Sequence, residues 1–181
     1  MFTSSDPISS KKVAIHPKYD RKTGDYNVAI WELASQIPNA VTVDPLAPNG
    51  IPPYESQSGI VCGLGIVDDG DLAQFQANVS ISNISDCSTL YGAITPRMFC
   101  IDPPSTGLGL CFGDEGGPFW DMGQESPQLY GIMDYPIDCG FDSLPIVATN
   151  LSDPEIVAFI DAVFACTFFL SISPLFKWTF V

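Results

Sequence analysis

The sequence predicts an all-β protein of antiparallel strands with long loops and one substantial helix near the C-terminus. Short apolar runs rich in Val, Ile and Tyr recur along the chain, and Gly, Pro, Asn or Asp residues bound them. The 16 prolines and 15 glycines suit a chain with many turns. A hydrophobic content of 46% over 181 residues, with 15% charged residues, is typical of a globular domain with a sizeable core.

Six segments carry the strand pattern. In chain order they read KKVAIHP, NVAIWEL, GIVCGLGIV, FQANVSISNI, QLYGIMDYP and LPIVATNL. A short helix is predicted over SDCSTLYG, where Ser85 or Asp86 provides the cap and Gly92 ends it.

The stronger helix prediction covers SDPEIVAFIDAVFA. Ser152 or Asp153 provides the cap, Pro154 lies in the first turn, and Glu155 follows near the positive end of the helix dipole. Four residues at helical spacing form one apolar face: Ile156, Phe159, Ile160 and Val163.

The residues after this helix, 166–181, form a hydrophobic tail. Residues 162–176 carry no charge, but the run is too short to span a bilayer, and Pro174 and Lys177 interrupt the remainder of the tail. An extension of the helix packed on the fold, an irregular end and a membrane-associated tail are the alternatives.

The charge excludes several partners. The net charge of −14 and the pI of about 4.1 argue against nucleic acid and against anionic membrane surfaces. An acidic surface of this kind provides solvation or attracts a cationic partner. We expect no cofactor.

The cysteine pattern favours disulfides over a metal site. The six cysteines include no CxxC pair, and His16 is the single histidine, so the ligand spacings of a zinc site are absent. Disulfides imply an oxidising compartment, and the sequons at Asn78, Asn83 and Asn150 agree with one. The N-terminal residues lack the apolar region of a signal peptide, so either the thiols are reduced in the cytosol or the true start is missing.

CFGDEGGPF at residues 111–119 resembles the C-x-G-D-S-G-G-P motif of the trypsin-like, chymotrypsin-fold serine proteases. Further segments resemble that family in the same order: HPKYDRKTGDYNVAIWEL, VCGLG, DCSTLYGAITPRMFC, LYGIMDYPIDCG and LPIVATNLSDPEIVAFI. The resemblance covers about residues 13–160. It implies an irregular segment over 1–12, a partial protease domain over 13–165 and the tail over 166–181.

The family's fold is a pair of packed six-stranded β-barrels. By the resemblance, this chain begins near the end of the first barrel, so that barrel is largely missing, and the second is complete and followed by the C-terminal helix. Residues 13–33 would then expose strand edges that the first barrel covers.

The resemblance places Glu115 at the nucleophile position. A carboxylate is a poor nucleophile toward a peptide carbonyl. It also puts a negative charge beside the oxyanion-hole-like turn of Gly113 and Asp114, where the backbone N–H groups of Gly113 and Glu115 would hold a developing oxyanion. In active relatives the aspartate matching Asp114 pairs with a newly cut N-terminus. In this chain three alternatives remain for the Asp114 carboxylate: it is exposed to solvent, its pKa is raised, or it binds calcium.

The other two members of the catalytic triad also differ. Asn27 stands at the aspartate position, where an amide lacks the charge and favours the wrong histidine tautomer. Asp25 lies about 7 Å away along a strand and is not expected to substitute. His16 lies outside the context of the catalytic base and is interpreted as a structural or surface residue.

The substrate pocket differs as well. The resemblance places Gly109 at its base, without an acidic group, and Ile146 on its wall in place of a glycine. Asp134, Tyr135 and Pro136 replace the pattern that pairs with substrate, and Pro136 has no N–H to donate.

The resemblance also implies two disulfides, Cys87–Cys100 and Cys111–Cys139. Cys62 and Cys166 have no family partner; they are free or pair with each other.

Two functional hypotheses arise from these residues. The first is a homologue without proteolytic activity that binds an unknown protein or peptide in an extracellular proteolytic setting. The alternative is an active serine endopeptidase whose N-terminal part, including the catalytic histidine, is missing from this sequence.

Overall fold

The computed structural model describes residues 8–37, 53–66, 72–104, 113–121, 127–134, 144–170 and 178–180. Nine strands and two helices lie in these ranges. The strands are β1 (Ser10–Ile15), β2 (Ala29–Leu33), β3 (Ser58–Ile66), β4 (Leu72–Ser80), β5 (Met98–Ile101), β6 (Pro118–Asp121), β7 (Gln128–Met133), β8 (Ile146–Asn150) and β9 (Trp178–Phe180). The helices are α1 (Ile84–Tyr91) and α2 (Pro154–Leu170). No described helix has the length and apolarity required to cross a membrane.

Six antiparallel strands form one curled sheet in the order β4-β3-β6-β7-β8-β5. The two outer strands meet at their ends, where the Ser82 N–H donates to the Cys100 carbonyl and the Asp102 N–H donates to the Ser80 carbonyl, both at 2.8 Å. This contact curls the sheet toward closure. The all-β prediction and the predicted second barrel are confirmed.

Large apolar side chains fill the interior of this barrel. Phe119 is fully buried and meets Phe99 edge-to-face, with ring centroids 5.4 Å apart. The other buried members of the cluster are Val61, Ala77, Val79, Ile81, Ile101, Tyr130, Met133, Ile146 and Ala148. Buried and half-buried residues alternate along β6, whereas β5 and β8 are buried along their whole length, as expected for strands covered on both faces.

A second sheet, in the order β1-β2-β9, packs beside the barrel. Ile30 of β2 is fully buried in a cluster with Val28, Leu129 and Ile132, beneath the apolar face of α2. Ile156 and Ile160 are buried there, and Phe159 and Val163 pack against the same cluster, which confirms the predicted helix face.

The helix caps are partly as predicted. The Asp153 carboxylate accepts the Glu155 N–H at 2.9 Å at the start of α2, as expected. At α1 the cap is Asn83, whose side chain accepts the Ser85 N–H at 2.7 Å, so the predicted caps Ser85 and Asp86 are wrong. Extended backbone at Asn83 turns its side chain onto the first helical turn.

The disulfide Cys87–Cys100 is present and joins α1 to β5, as the resemblance implied. Cys62 is a free thiol, which excludes its pairing with Cys166. The predicted pair Cys111–Cys139 lies outside the described residues.

The terminal segments differ from their predicted boundaries. β1 begins at Ser10, inside the segment 1–12 expected to be irregular, because it pairs with β2 as far as Leu33. The segment 166–181 is not one tail: α2 continues to Leu170, and β9 pairs with the edge of β2 over Ile30–Glu32. This pairing covers one of the two strand edges expected to be exposed.

Candidate functional site

The turn of residues 113–117 is fixed by its own main chain. Gly113 and Gly116 have φ values of +99° and +83°, a left-handed region that glycine enters at low cost. The Gly116 N–H donates to the Met133 carbonyl at 2.9 Å, and the Met133 N–H donates to the Gly117 carbonyl at 2.7 Å. The Gly117 N–H closes the turn on the Asp114 carbonyl at 3.0 Å. The turn is therefore anchored to the end of β7.

Glu115 lies within this turn and folds back on it. Its carboxylate accepts the Gly113 N–H with an oxygen–nitrogen distance of 2.7 Å. A hydrogen bond from a backbone N–H to a carboxylate is charge-assisted and stronger than one between neutral groups. The half-buried Glu115 thus supplies an internal acceptor for the donor that was predicted to face an oxyanion.

Asp114 points inward from the same turn. The residue is 4% exposed, so exposure to solvent is excluded as the means by which its charge is accommodated. Its carboxylate lies against the main chain of Gly63 in β3, and a Cβ atom on Gly63 would overlap it. The glycine at residue 63 therefore gives the carboxylate its room.

Asn27 and Asp134, predicted in separate roles, are in contact. The Asn27 amide donates to the Asp134 carboxylate at 2.7 Å, and the Thr149 hydroxyl donates to the Asn27 carbonyl at 2.8 Å. An ionised carboxylate only accepts hydrogen bonds, so the Asn27 NH₂ group faces Asp134 and its side-chain oxygen points elsewhere. A carboxylate therefore lies beside the position that the sequence analysis assigned to the triad aspartate.

Asp25 is occupied by a different partner. The Arg97 guanidinium binds its two oxygens at 2.8 and 2.9 Å, and the Thr95 hydroxyl donates to it at 2.9 Å. Arg97 holds the pKa of Asp25 below its usual range, and Asp25 raises the pKa of Arg97 in turn. This pairing agrees with the expectation that Asp25 does not replace the triad aspartate.

His16 is packed among aromatic side chains. The ring is 6% exposed, stacks on Tyr26 at 4.6 Å between centroids and meets the edge of Phe159 at 4.8 Å. Its Nδ1 atom accepts the Lys18 N–H at 3.2 Å. Burial lowers the pKa of His16, which favours the neutral ring. These contacts support the structural interpretation of this histidine.

Few of the predicted pocket residues are described. Ile146 is 5% exposed and belongs to the barrel core. Gly109, Tyr135 and Pro136 lie outside the described residues.

Cys62, whose carbonyl lies close to Gly117, is half-buried, and burial raises the pKa of its thiol.

The three sequons lie in different environments. Asn78 is exposed on β4. Asn83 caps α1, and its amide donates to Glu55 at 3.1 Å. Asn150 is 5% exposed and its side chain bonds the Pro96 carbonyl and Ser152, which argues against Asn150 as a glycosylation site in the folded chain.

Metal binding finds no support in the part of the chain that the structure describes, where no three His, Cys, Asp or Glu side chains come together.

Sequence reasoning missed the contacts Glu115–Gly113 and Asn27–Asp134. The first pair lies two residues apart, and the family motif already placed both residues on one turn. The second joins residues 107 positions apart, and no local pattern indicated it.

Comparisons with known proteins show the family of this chain. The family model of trypsin matches residues 2–160. Transmembrane protease serine 7 of Rattus norvegicus is 30% identical over 155 residues, covering 79% of this chain and 18% of that protein. Trypsin-1 of Astacus astacus is 27% identical, with coverage of 82% and 65%. This chain thus spans less than two thirds of the length of these relatives.

A solved structure shows the same fold. Neuropsin, a serine protease expressed in the limbic system of mouse brain, superposes with a TM-score of 0.72 at 26% identity. The match covers 87% of this chain and 71% of the neuropsin chain. The family match, the barrel and the glycine-rich turn together show that the chain belongs to the trypsin family of serine proteases.

Proposed function

We propose that this member of the trypsin family does not cleave peptide bonds and acts by binding a protein or peptide. The hydrogen bond from the Gly113 N–H to the Glu115 carboxylate carries this proposal. It puts a negative group at the nucleophile position and engages one of the donors that the reaction requires.

Electrostatics explain why this contact opposes proteolysis. Acyl transfer from a peptide builds negative charge on the carbonyl oxygen, and preorganised N–H groups accelerate it by stabilising that charge. Here the charge would develop beside an existing carboxylate, which repels it and competes for the Gly113 N–H. Loss of a single oxyanion donor costs about 10²–10³ in rate in a working enzyme.

Proton transfer is a second obstacle. His16 is the single histidine of this sequence, and it is held between Tyr26 and Phe159. Without a base, a hydroxyl at residue 115 would remain a weak nucleophile near neutral pH. Restoring serine alone is therefore not expected to restore activity.

The test compares the unmodified chain with Glu115→Ser and Glu115→Gln. Each protein is incubated with a panel of chromogenic peptide substrates and with a fluorophosphonate probe, which reacts with activated serines. We expect no turnover from any of them and no labelling of residue 115. Turnover by the unmodified chain overturns the proposal, and labelling of the Glu115→Ser variant reveals a base within the fold.

An extracellular setting is the second part of the proposal. The Cys87–Cys100 disulfide and the exposed sequon at Asn78 support it, because both are suited to an oxidising secretory route. Peptide mapping without reductant should recover Cys87 linked to Cys100 from the natural source. Recovery of both as free thiols would contradict this part.

One observation favours the second hypothesis, an active endopeptidase completed by a segment outside this sequence. Asp134 keeps a carboxylate 2.7 Å from the Asn27 amide. Because the NH₂ group of Asn27 faces Asp134, its side-chain oxygen can accept a hydrogen bond from an imidazole N–H. Asn27 would then favour the histidine tautomer that the reaction needs, contrary to the expectation from the sequence. Glu115 still opposes this hypothesis, and peptide turnover by a longer natural form of the protein would favour it.

A further inference from the structure

Three Asn-X-Ser sequences occur in the chain, at Asn78, Asn83 and Asn150. An N-linked oligosaccharide is bulky and hydrated, and it is joined to the protein through the side-chain nitrogen of the asparagine, Nδ2. The folded protein can therefore carry one only where Nδ2 faces solvent and makes no contact that the fold requires. The structure separates the three asparagines by this criterion.

Asn150 does not meet the criterion. The residue is 5% exposed, and its Nδ2 donates to the Pro96 carbonyl at 3.1 Å. Its side-chain oxygen accepts the N–H of Ser152 at 3.0 Å and the hydroxyl of the same serine at 2.7 Å. Because a sugar on Nδ2 would leave these buried groups without their partners, a chain modified at Asn150 would not complete the fold.

Asn83 is also engaged through its amide. It is half-buried at the start of α1, where its side-chain oxygen accepts the Ser85 N–H at 2.7 Å. Its Nδ2 donates to the Glu55 carboxylate at 3.1 Å. A sugar on this nitrogen would displace Glu55, so the fold disfavours attachment here as well.

Asn78 meets the criterion. Its neighbours Ala77 and Val79 are 6% and 7% exposed and belong to the barrel core, and side chains alternate along a strand, so Asn78 points outward. The side chain is exposed and makes no hydrogen bond to any other residue that the structure describes. An oligosaccharide on its Nδ2 would extend into solvent without breaking a contact among the described residues.

Ser80 indicates when the sugar would be added. It is the serine that the sequence motif of Asn78 requires, and in the fold its hydroxyl donates to the Asp102 carboxylate at 3.0 Å. This contact lies where the two outer strands of the barrel meet, close to the main-chain bond from the Asp102 N–H to the Ser80 carbonyl. The hydroxyl is therefore available to a transferring enzyme before the barrel closes.

We propose that Asn78 carries an N-linked oligosaccharide in the folded protein and that Asn83 and Asn150 do not. The sugar donor is an oligosaccharide on a lipid pyrophosphate. Nδ2 forms a bond to the anomeric carbon of the sugar and loses one proton. The bond from that carbon to the pyrophosphate oxygen breaks, and the lipid pyrophosphate leaves with its electron pair. The inference rests on the extracellular setting of the proposed function, because this transfer belongs to the secretory route.

The test produces the full chain behind a cleavable signal sequence in a eukaryotic secretory host and treats the secreted protein with peptide-N-glycosidase. This enzyme removes the sugar and leaves aspartate in place of the modified asparagine, which peptide mass spectrometry locates. We expect the loss of a single oligosaccharide and aspartate at residue 78 alone. Asn78→Gln should be secreted without sugar.

Two variants are matched controls. Ser80→Thr retains the motif and the hydroxyl that Asp102 accepts, so it should keep the oligosaccharide. Ser85→Ala removes the motif of Asn83 but leaves the N–H that Asn83 caps, so it should not change the mass of the attached sugar.

The proposal is wrong if the secreted chain carries no oligosaccharide, if Asn78→Gln keeps one, or if Asn83 or Asn150 is modified in the secreted protein. These outcomes are separate from those of the proposed function, because the signal sequence supplies the secretory setting. A secreted chain with the Cys87–Cys100 disulfide but without sugar would contradict only the site at Asn78. Free Cys87 and Cys100 in the natural source would contradict the setting.

Discussion

The 113–117 turn and the loop that carries Asn27 are held in place by different kinds of interaction. Main-chain hydrogen bonds to Met133 and within the turn fix the first. Side-chain contacts fix the second: Asn27 binds Asp134, and the neighbouring Asp25 binds Arg97. The turn therefore keeps its shape whatever residue occupies position 115, whereas the position of Asn27 depends on charged partners from the barrel.

This difference indicates how the turn of a trypsin-family framework can accommodate different residues at position 115. Replacing the residue at 115 leaves the main-chain hydrogen bonds of the turn in place, so a change of side chain there costs little stability. The Asn27 loop has a carboxylate nearby, that of Asp134 next to the end of β7. Substitutions and pH changes should separate the two regions, beginning with the largest expected effect.

Replacing Arg97 with alanine should destabilise the protein by about 2 kcal/mol, because the Asp25 carboxylate would lose its bidentate partner in a largely buried place. The side chains of Arg97 and Asp25 are 19% and 15% exposed. Arg97 also stacks over Tyr26 at 4.5 Å, so part of the loss is packing. Chemical unfolding measures the change.

The matched control is Arg97→Lys, which retains the charge but not the two-pronged geometry. It should lose about half as much stability. Equal stability of the unmodified chain and Arg97→Ala would show that the Asn27 loop is held by other contacts.

The free energy of unfolding should decrease in two steps as the pH is lowered. Both steps arise from residues of the loop that carries Asn27. Burial lowers the pKa of His16 in the folded chain, so the unfolded chain takes up its proton first. The His16 contribution is therefore present above about pH 6.5 and decreases as pH falls below it. Arg97 lowers the pKa of Asp25, so the Asp25 contribution is lost only below about pH 3.9.

Thermal unfolding between neutral and acidic pH measures both steps. His16→Gln should remove the first step and leave the second. Because His16 is the single histidine of the sequence, its imidazole proton signals also report its titration directly. Persistence of the first step in His16→Gln would assign it to another group.

The smallest effect is expected at the turn. Glu115→Gln keeps the side-chain shape and replaces the charged acceptor with a neutral one. We expect a change in unfolding free energy of less than about 0.5 kcal/mol, because the group is half-exposed and the main-chain bonds of the turn remain. A loss as large as that of Arg97→Ala would contradict the view that the main chain alone fixes the turn.

Most of the fold was predictable because its signals are local. Six of the nine strands carry apolar runs between turn residues, and the face of α2 repeats at helical spacing. β5 and β6 were missed as strands, since MFCI and PFWD are only four residues long and lie next to a cysteine loop and a glycine-rich motif. β9 was missed because its placement depends on the open edge of β2, which is a tertiary property.

The sequence predicted which residues form the candidate site but not the contacts that their side chains make. The family motif placed Glu115, Gly113 and Asp114 on one turn, and the structure keeps them there. It did not indicate that Glu115 would accept from Gly113, because that depends on side-chain conformation. The contact of Asn27 with Asp134 depends on how the hairpin docks on the barrel, and no sequence pattern carries that information.

The hydrogen bond between Glu115 and Gly113 is the central claim, and the amide proton of Gly113 tests it most directly. Proton–nitrogen correlation spectra of the unmodified chain, Glu115→Gln and Glu115→Ala should show this amide furthest downfield in the unmodified chain. It should move upfield in Glu115→Gln and furthest in Glu115→Ala, as a charge-assisted bond is first weakened and then lost. An unchanged Gly113 signal in all three proteins would contradict the account, because it would leave the oxyanion donor unoccupied by Glu115.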